Sequence, residues 1–332
     1  MRVAIVFDME GVSHIGDMRE PFPMYEAYWR TGRAKLTSDI VAAARGLLGG
    51  GATEVVVINH HGAGEEDWPN AIPERFPDHV TLAEDYGCRG MREHVDAMFQ
   101  VGVHARGGIE SFLSHTAGVG IRYRLGSELL SESHLWAYTG SVPLIGMVGS
   151  VELGETLGSL ADVPFLGVQR SANRAAAHPV FTTPAATADA IEAFAVDAMR
   201  EAISQPVRSP AGPVRLQISV QNPDEAEPKL HAAGWNRTSR TEFELLAATW
   251  RDEAETIDEG IWEAAGAAFQ PYDFWFADLD PSTEEAALAF PSDRLARSDA
   301  MLVSWSAGHF PEWFGPDAPT EAWEGFEGVP VA

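Results

Sequence analysis

Cysteine is nearly absent from this chain: Cys88 is the single one in 332 residues. One thiol cannot close an intramolecular disulfide, so a stapled extracellular scaffold is excluded and a reducing, cytoplasmic setting is expected. Positive charge is scarce as well. Lys and Arg number 23 against 49 Asp and Glu, a formal net charge of −26, which repels nucleic acid and anionic membranes and argues against both as partners. No apolar run approaches the roughly 20 residues a membrane-spanning helix needs. No apolar leader precedes the first strand-like segment, so export by that route is not expected. Three catalytic signatures are also missing: there is no phosphate-cradling P-loop, GVGIRYRLG (118–126) lacks the dinucleotide-binding spacing, and no serine sits in a GxSxG elbow.

What the sequence does have is enough apolar material, 45% of residues, to build a sizeable core in two or three domains. Its organisation shows first in AIVFDMEGVSH (4–14), a β-branched run that ends on two carboxylates, Asp8 and Glu10, before Gly11. The same pattern of apolar run, polar residues and glycine returns in EVVVINHHG (54–62) and AMFQVGVHARGG (97–108). Between the first two lies a helical periodicity from Tyr25 to Leu48, with Thr37 or Ser38 as candidate caps. Buried strands separated by helix-length segments predict an α/β fold with a mostly parallel sheet flanked by helices. Further elements are expected as a helix beginning at 131–138, a strand at 142–149, a helix over about 184–204 and a strand within 210–220. TEFELLAATW (241–250) reads as strand or helix with equal ease.

These features divide the chain into an α/β domain over 1–205, expected to carry the functional site, a smaller α/β part over 206–269 with oligomerisation as its candidate role, and an acidic extension over 270–332. The extension carries Trp275, Trp305, Trp313 and Trp323 and reads as irregular, packing through its aromatics.

In parallel sheets, ligands collect beyond the carboxyl ends of the strands. Asp8 and Glu10 follow the first strand, His60 and His61 the second and His104 the third. With a later carboxylate, these are the nitrogen and oxygen donors that suit Zn²⁺ or a similar divalent ion. Neighbouring carboxylates repel unless a cation lies between them. Two ions bridged by Asp8, about 3.5–4 Å apart, would remove that conflict and activate water for hydrolysis. A competing reading makes the acidic pair a solvated loop or helix cap and the histidines surface or core residues. His115, in LSHT (113–116), suits a catalytic base equally well as no role at all.

FDMEGVS (7–13), GRAKLT (32–37), NHHG (59–62), GVHAR (102–106), LSHT (113–116) and SESHLWAY (131–138) resemble, in order and near spacing, the D-aminopeptidase family of binuclear zinc metallopeptidases. The likeness is good through about residue 200, thinner to about 265, and absent from the acidic extension.

The resemblance implies two Zn²⁺ per chain, with Mn²⁺ or Co²⁺ as alternatives. Asp8 bridges, Glu10 and His61 complete one ion's ligands, His104 and Glu132 complete the other's, and His115 is the catalytic histidine. His60 is the alternative to His61. Asn59 stands where the family usually has Asp, and VGSVE (148–152) stands where it tends to have an acidic pair.

The implied activity is hydrolysis of short peptides or amino-acid amides, with D-residue selectivity, by a ring-like homo-oligomer. The alternatives are an amidase of a specialised metabolite on the same site, or an inactive, metal-stabilised scaffold.

Overall fold

The structure is a computed structural model. It describes residues 1–268 except 16–19, 22–25, 62–68, 84–86, 108, 110–114, 118–121, 172–180, 183–187, 203–209, 211–212 and 221–222. The tryptophan-rich extension expected over 270–332 lies outside the described residues.

In chain order the elements are β1 (Arg2–Phe7), α1 (Glu26–Gly50), β2 (Glu54–Asn59), β3 (Val80–Leu82), α2 (Gly87–His94), β4 (Ala97–Val103), β5 (Arg122–Leu125), β6 (Glu128–Leu129) and α3 (Glu132–Gly140). There follow β7 (Leu144–Ser150), α4 (Val151–Gly154), β8 (Phe165–Ser171), β9 (Phe181–Thr182), α5 (Ala188–Ala202), β10 (Val214–Ser219), α6 (Pro223–Ala232), β11 (Asn236–Arg237), β12 (Glu242–Ala247) and α7 (Ala254–Ala268).

The main sheet has the order β3-β2-β1-β4-β7-β8-β9. All its pairings are parallel except β8 with β9. This is the expected α/β architecture. Strands β1, β4 and β7 are apolar on both faces because helices cover both. Val3, Ile5 and Phe7 pack with Leu36 and Ile40 of α1 and Ile191 and Met199 of α5. Ala4 and Val6 face the other way, into a core with Leu135 and Trp136 of α3. Such double burial is why these strands read as continuous apolar runs rather than alternating ones.

The second sheet has the order β11-β12-β10-β5-β6 and is antiparallel. It draws β5 and β6 from within residues 1–205 and the other strands from beyond them. The segment that sequence left open between strand and helix is β12, paired with β10 from Val214↔Ala247 to Ser219↔Glu242. Thr37 caps nothing: it lies inside the 25-residue α1, where its hydroxyl donates to the Arg33 carbonyl at 2.6 Å and accepts from the Ile72 amide at 3.0 Å. A hydroxyl satisfied on both sides has no need of a helix end.

Strand order reverses between β1 and β4, leaving a crevice at their carboxyl ends. The chain after β1 folds back tightly there. The Asp8 amide donates to the Val101 carbonyl at 2.9 Å and the Gly11 amide to the Gly102 carbonyl at 2.8 Å. A Cβ on Gly11 would stand 1.9 Å from the Val103 oxygen, and one on Gly102, whose φ is +77°, would stand 2.1 Å from the Asp8 oxygen. Two glycines therefore let the acidic turn of β1 lie directly against the end of β4.

Candidate metal centre

All six residues singled out in the sequence meet at this crevice. Asp8, Glu10, His61, His104 and Glu132 are buried, and His115 is half-buried beside them. Asp8 and Glu10 come from the turn after β1, His61 follows β2, His104 follows β4, and Glu132 is the first residue of α3.

Asp8 occupies the middle and uses its two oxygens differently. Oδ1 lies 3.1 Å from His61 Nδ1, while Oδ2 lies 3.2 Å from His104 Nε2. Glu10 Oε2 is 3.2 Å from the same His61 Nδ1, and Glu132 Oε2 is 3.6 Å from the same His104 Nε2. Each imidazole nitrogen therefore faces two carboxylates, one of them shared. Two sets of donors converge within 4.8 Å of one another: Asp8, Glu10 and His104 in one, His104, His115 and Glu132 in the other.

The far nitrogen of each ring decides what the near one offers. His61 Nε2 lies 2.8 Å from the Pro21 carbonyl, and His104 Nδ1 lies 2.9 Å from the Ala105 carbonyl. A carbonyl can only accept, so each of these nitrogens carries a proton. In the neutral ring the opposite nitrogen then presents a lone pair. Lone pairs and carboxylate oxygens are thus aimed at one another, and Glu10 Oε2 and His104 Nε2 are buried without a hydrogen bond. Only a cation, proton or metal, resolves such a group of acceptors.

The titration of the site has the same cause. Burial would raise Asp8, but its contacts with His104 and His61 hold it far below the usual carboxylate range. Burial would lower His61, yet Glu10 and Asp8 raise it well above the ordinary imidazole value. Burial likewise opposes charge on His104, and Asp8 and Glu132 raise it well above that value. Glu132 is lowered despite burial, chiefly by His115 and His104.

The surroundings fix the donors in place. Glu132 Oε1 accepts the Ala117 amide at 2.6 Å and lies 3.5 Å from His115 Nε2, leaving Oε2 directed at His104. The rings of His104 and His115 stack with centroids 4.3 Å apart. At the start of α3, His134 Nε2 donates to the Leu157 carbonyl at 2.8 Å. Its Nδ1 accepts from the Ser131 hydroxyl at 2.7 Å, tying down the turn that presents Glu132.

His60 faces elsewhere, its ring 4.9 Å from that of Trp136. Asn59, flagged in the sequence for lacking a charge, accepts the His61 amide through Oδ1 at 3.0 Å; a neutral oxygen is sufficient for that bond. The carbonyls of Pro21 and Ala105 escaped sequence reasoning because a backbone group leaves no residue-type signal.

The family profile described as D-aminopeptidase matches residues 1–258. No curated protein matches the sequence significantly. Among solved structures, the fold is similar to that of the "Zn-dependent D-aminopeptidase DppA from Bacillus subtilis, a self-compartmentalizing protease", with a TM-score of 0.64 at 19% identity, covering 80% of this chain and 98% of that one. The chain belongs to the D-aminopeptidase family.

Proposed function

We propose that the protein removes the amino-terminal residue from short peptides or amino-acid amides, selecting D-residues, at a site that holds two divalent ions. One observation carries this reading: Asp8 turns its two oxygens toward two different imidazole nitrogens, each already faced by a further carboxylate. Asp8 is the shared ligand, Glu10 and His61 serve one ion, and His104 and Glu132 serve the other. The nitrogen and oxygen donor set suits zinc and also accepts Mn²⁺ or Co²⁺. Bound at such a site, a pair of ions polarises a carbonyl and lowers the pKa of water.

The remaining work falls to the chain. His115 is the imidazole within reach of substrate, since 17% of its side chain is exposed against 1% for His104. Stacked on His104 and oriented through Nε2 by Glu132 Oε1, it takes a proton from the attacking water at its other ring nitrogen, Nδ1, and returns it to the departing amine. The carbonyls of Pro21 and Ala105 keep the other two rings in one tautomer throughout.

Membership of the D-aminopeptidase family supports the choice of D-residues, and the zinc dependence and self-compartmentalisation of the structural neighbour support zinc and assembly into a closed homo-oligomer. The test is hydrolysis of D- and L-alanyl amides before and after chelation, with light scattering for assembly size. Chelator-sensitive release from the D-amide by an oligomer is the expected result. Equal rates on both amides would remove the stereochemical part, and activity indifferent to chelation would remove the metal.

A further inference from the structure

Behind the acidic turn lies a carboxylate that no role above employs. Asp39 sits in the middle of α1 and is 2% exposed. Both of its oxygens are used on one residue: the Ser13 amide donates to Oδ2 at 2.8 Å and the Ser13 hydroxyl to Oδ1 at 2.5 Å. Ser13 closes the turn that begins at Asp8. Within that turn the Val12 amide reaches the Met9 carbonyl at 3.3 Å, and the Ile15 amide reaches the Val12 carbonyl at 3.4 Å. The turn is thus held by β4 through the Asp8 and Gly11 amides, which flank Glu10, and by α1 through Ser13, three residues after Glu10.

An acid at this position is costly. Burial drives Asp39 up to about 6 even though Ser13 supplies two hydrogen bonds. An aspartate that served only to fill a helix face would be replaced at no loss by an apolar residue. A carboxylate, by contrast, is the side chain that accepts from a backbone N–H and a hydroxyl at once.

We infer that Asp39 is a positioning residue which, through Ser13, holds the Asp8–Glu10 turn in the geometry that receives the ion shared by Glu10 and His61. The inference rests on the two-ion reading of the site. Groups that orient metal ligands from behind typically contribute 10–100-fold in metal affinity. Asp8 has its own anchor on Val101 of β4, and His104 and Glu132 are held by β4, Ala117 and the start of α3, so the second ion should keep its affinity when Asp39 is lost.

The experiment is a Co²⁺ titration of the metal-free full-length protein against a competing chelator, read by the visible absorption of each site. The wild type is compared with Asp39→Ala and with the milder Ser13→Ala, which leaves the acid in place and removes one hydrogen bond. Folding is checked by circular dichroism. The expected result is two ions in the wild type and, in both variants, one ion held as before and one weakened at least 10-fold, more in Asp39→Ala. If Asp39→Ala does not fold, Ser13→Ala carries the same prediction. Two ions bound with wild-type affinity in the folded variants would overturn the inference alone. A wild type that binds fewer than two would overturn the two-ion reading and this inference with it.

Discussion

Two regions of the molecule are built from acidic side chains facing nitrogen bases, and they are built differently. On the second sheet, Arg215 pairs with Glu244 at 3.2 Å, Arg237 with Asp224 and Glu227 at 2.7 Å each, and Arg124 with Glu242. There, each acid meets a permanent cation supplied by the chain, and the arginine side chains are 26–69% exposed. In the crevice between β1 and β4, Asp8, Glu10 and Glu132 are buried and face imidazoles and backbone amides. The difference marks where an added cation would be favoured. The surface acids meet a permanent, solvent-screened guanidinium, whereas the crevice acids meet imidazoles that are cationic only when protonated.

The comparison breaks most visibly if a crevice residue can be removed without consequence. His61→Ala should leave about one ion per chain by elemental analysis. It should lower kcat/KM roughly a thousandfold, because bound ions supply several kcal/mol of transition-state stabilisation and each 1.36 kcal/mol is tenfold. His60→Ala should keep both ions while removing the ring packed on Trp136; the reverse pattern would exchange the two assignments. Next in size, His115→Ala should lower kcat about a hundredfold or more with metal content unchanged, as for loss of a proton-transfer group. A drop in metal content instead would make His115 a ligand, which its place beside His104 and Glu132 also allows.

How far the crevice was legible from sequence follows from what burial does to a strand. β1, β2 and β4 announce themselves as β-branched runs because both faces are covered, and each ends on a donor because that is where the sheet opens. Asp8, Glu10, His61 and His104 were therefore visible as a group. Glu132 and His115 were not, since they lie on a helix start and a loop whose approach to the sheet is tertiary; only the likeness to a family pointed to them. The short strands β5 and β6, in a stretch rich in arginine, gave no periodic signal, and β5 pairs with β10, a strand nearly a hundred residues on. Strand β12 was ambiguous because EFELLA satisfies either period until β10 lies beside it. Asp39 drew no notice within the helical periodicity, since nothing local reveals that Ser13 folds back against it.

A smaller effect tests Asp39 as a buried charge. Its pKa is raised from 3.8 to about 6, so the folded state binds this proton more tightly than the unfolded one. The stability associated with it is fully present below about pH 3.8 and is lost as pH rises through about 6. Relative to Asp39→Asn, the wild type should lose about 3 kcal/mol of stability between pH 4 and pH 7, as two pKa units are worth about that much. Parallel pH profiles from denaturant melts would show that Asp39 ionises freely. The smallest effect is expected on the second sheet. Arg215→Ala should cost less than about 1 kcal/mol at low salt and still less in 1 M NaCl, the behaviour of an exposed pair. A loss comparable to that of a crevice variant would erase the contrast between the two regions.

If Asp8 joins two cations that the chain does not itself provide, the metal content of the purified, folded protein, wild type beside Asp8→Ala, will show it. Two divalent ions per chain in the wild type and neither tightly held in Asp8→Ala is the predicted result. A wild type that takes up no ion when offered zinc, or an Asp8→Ala variant that retains two, would contradict it.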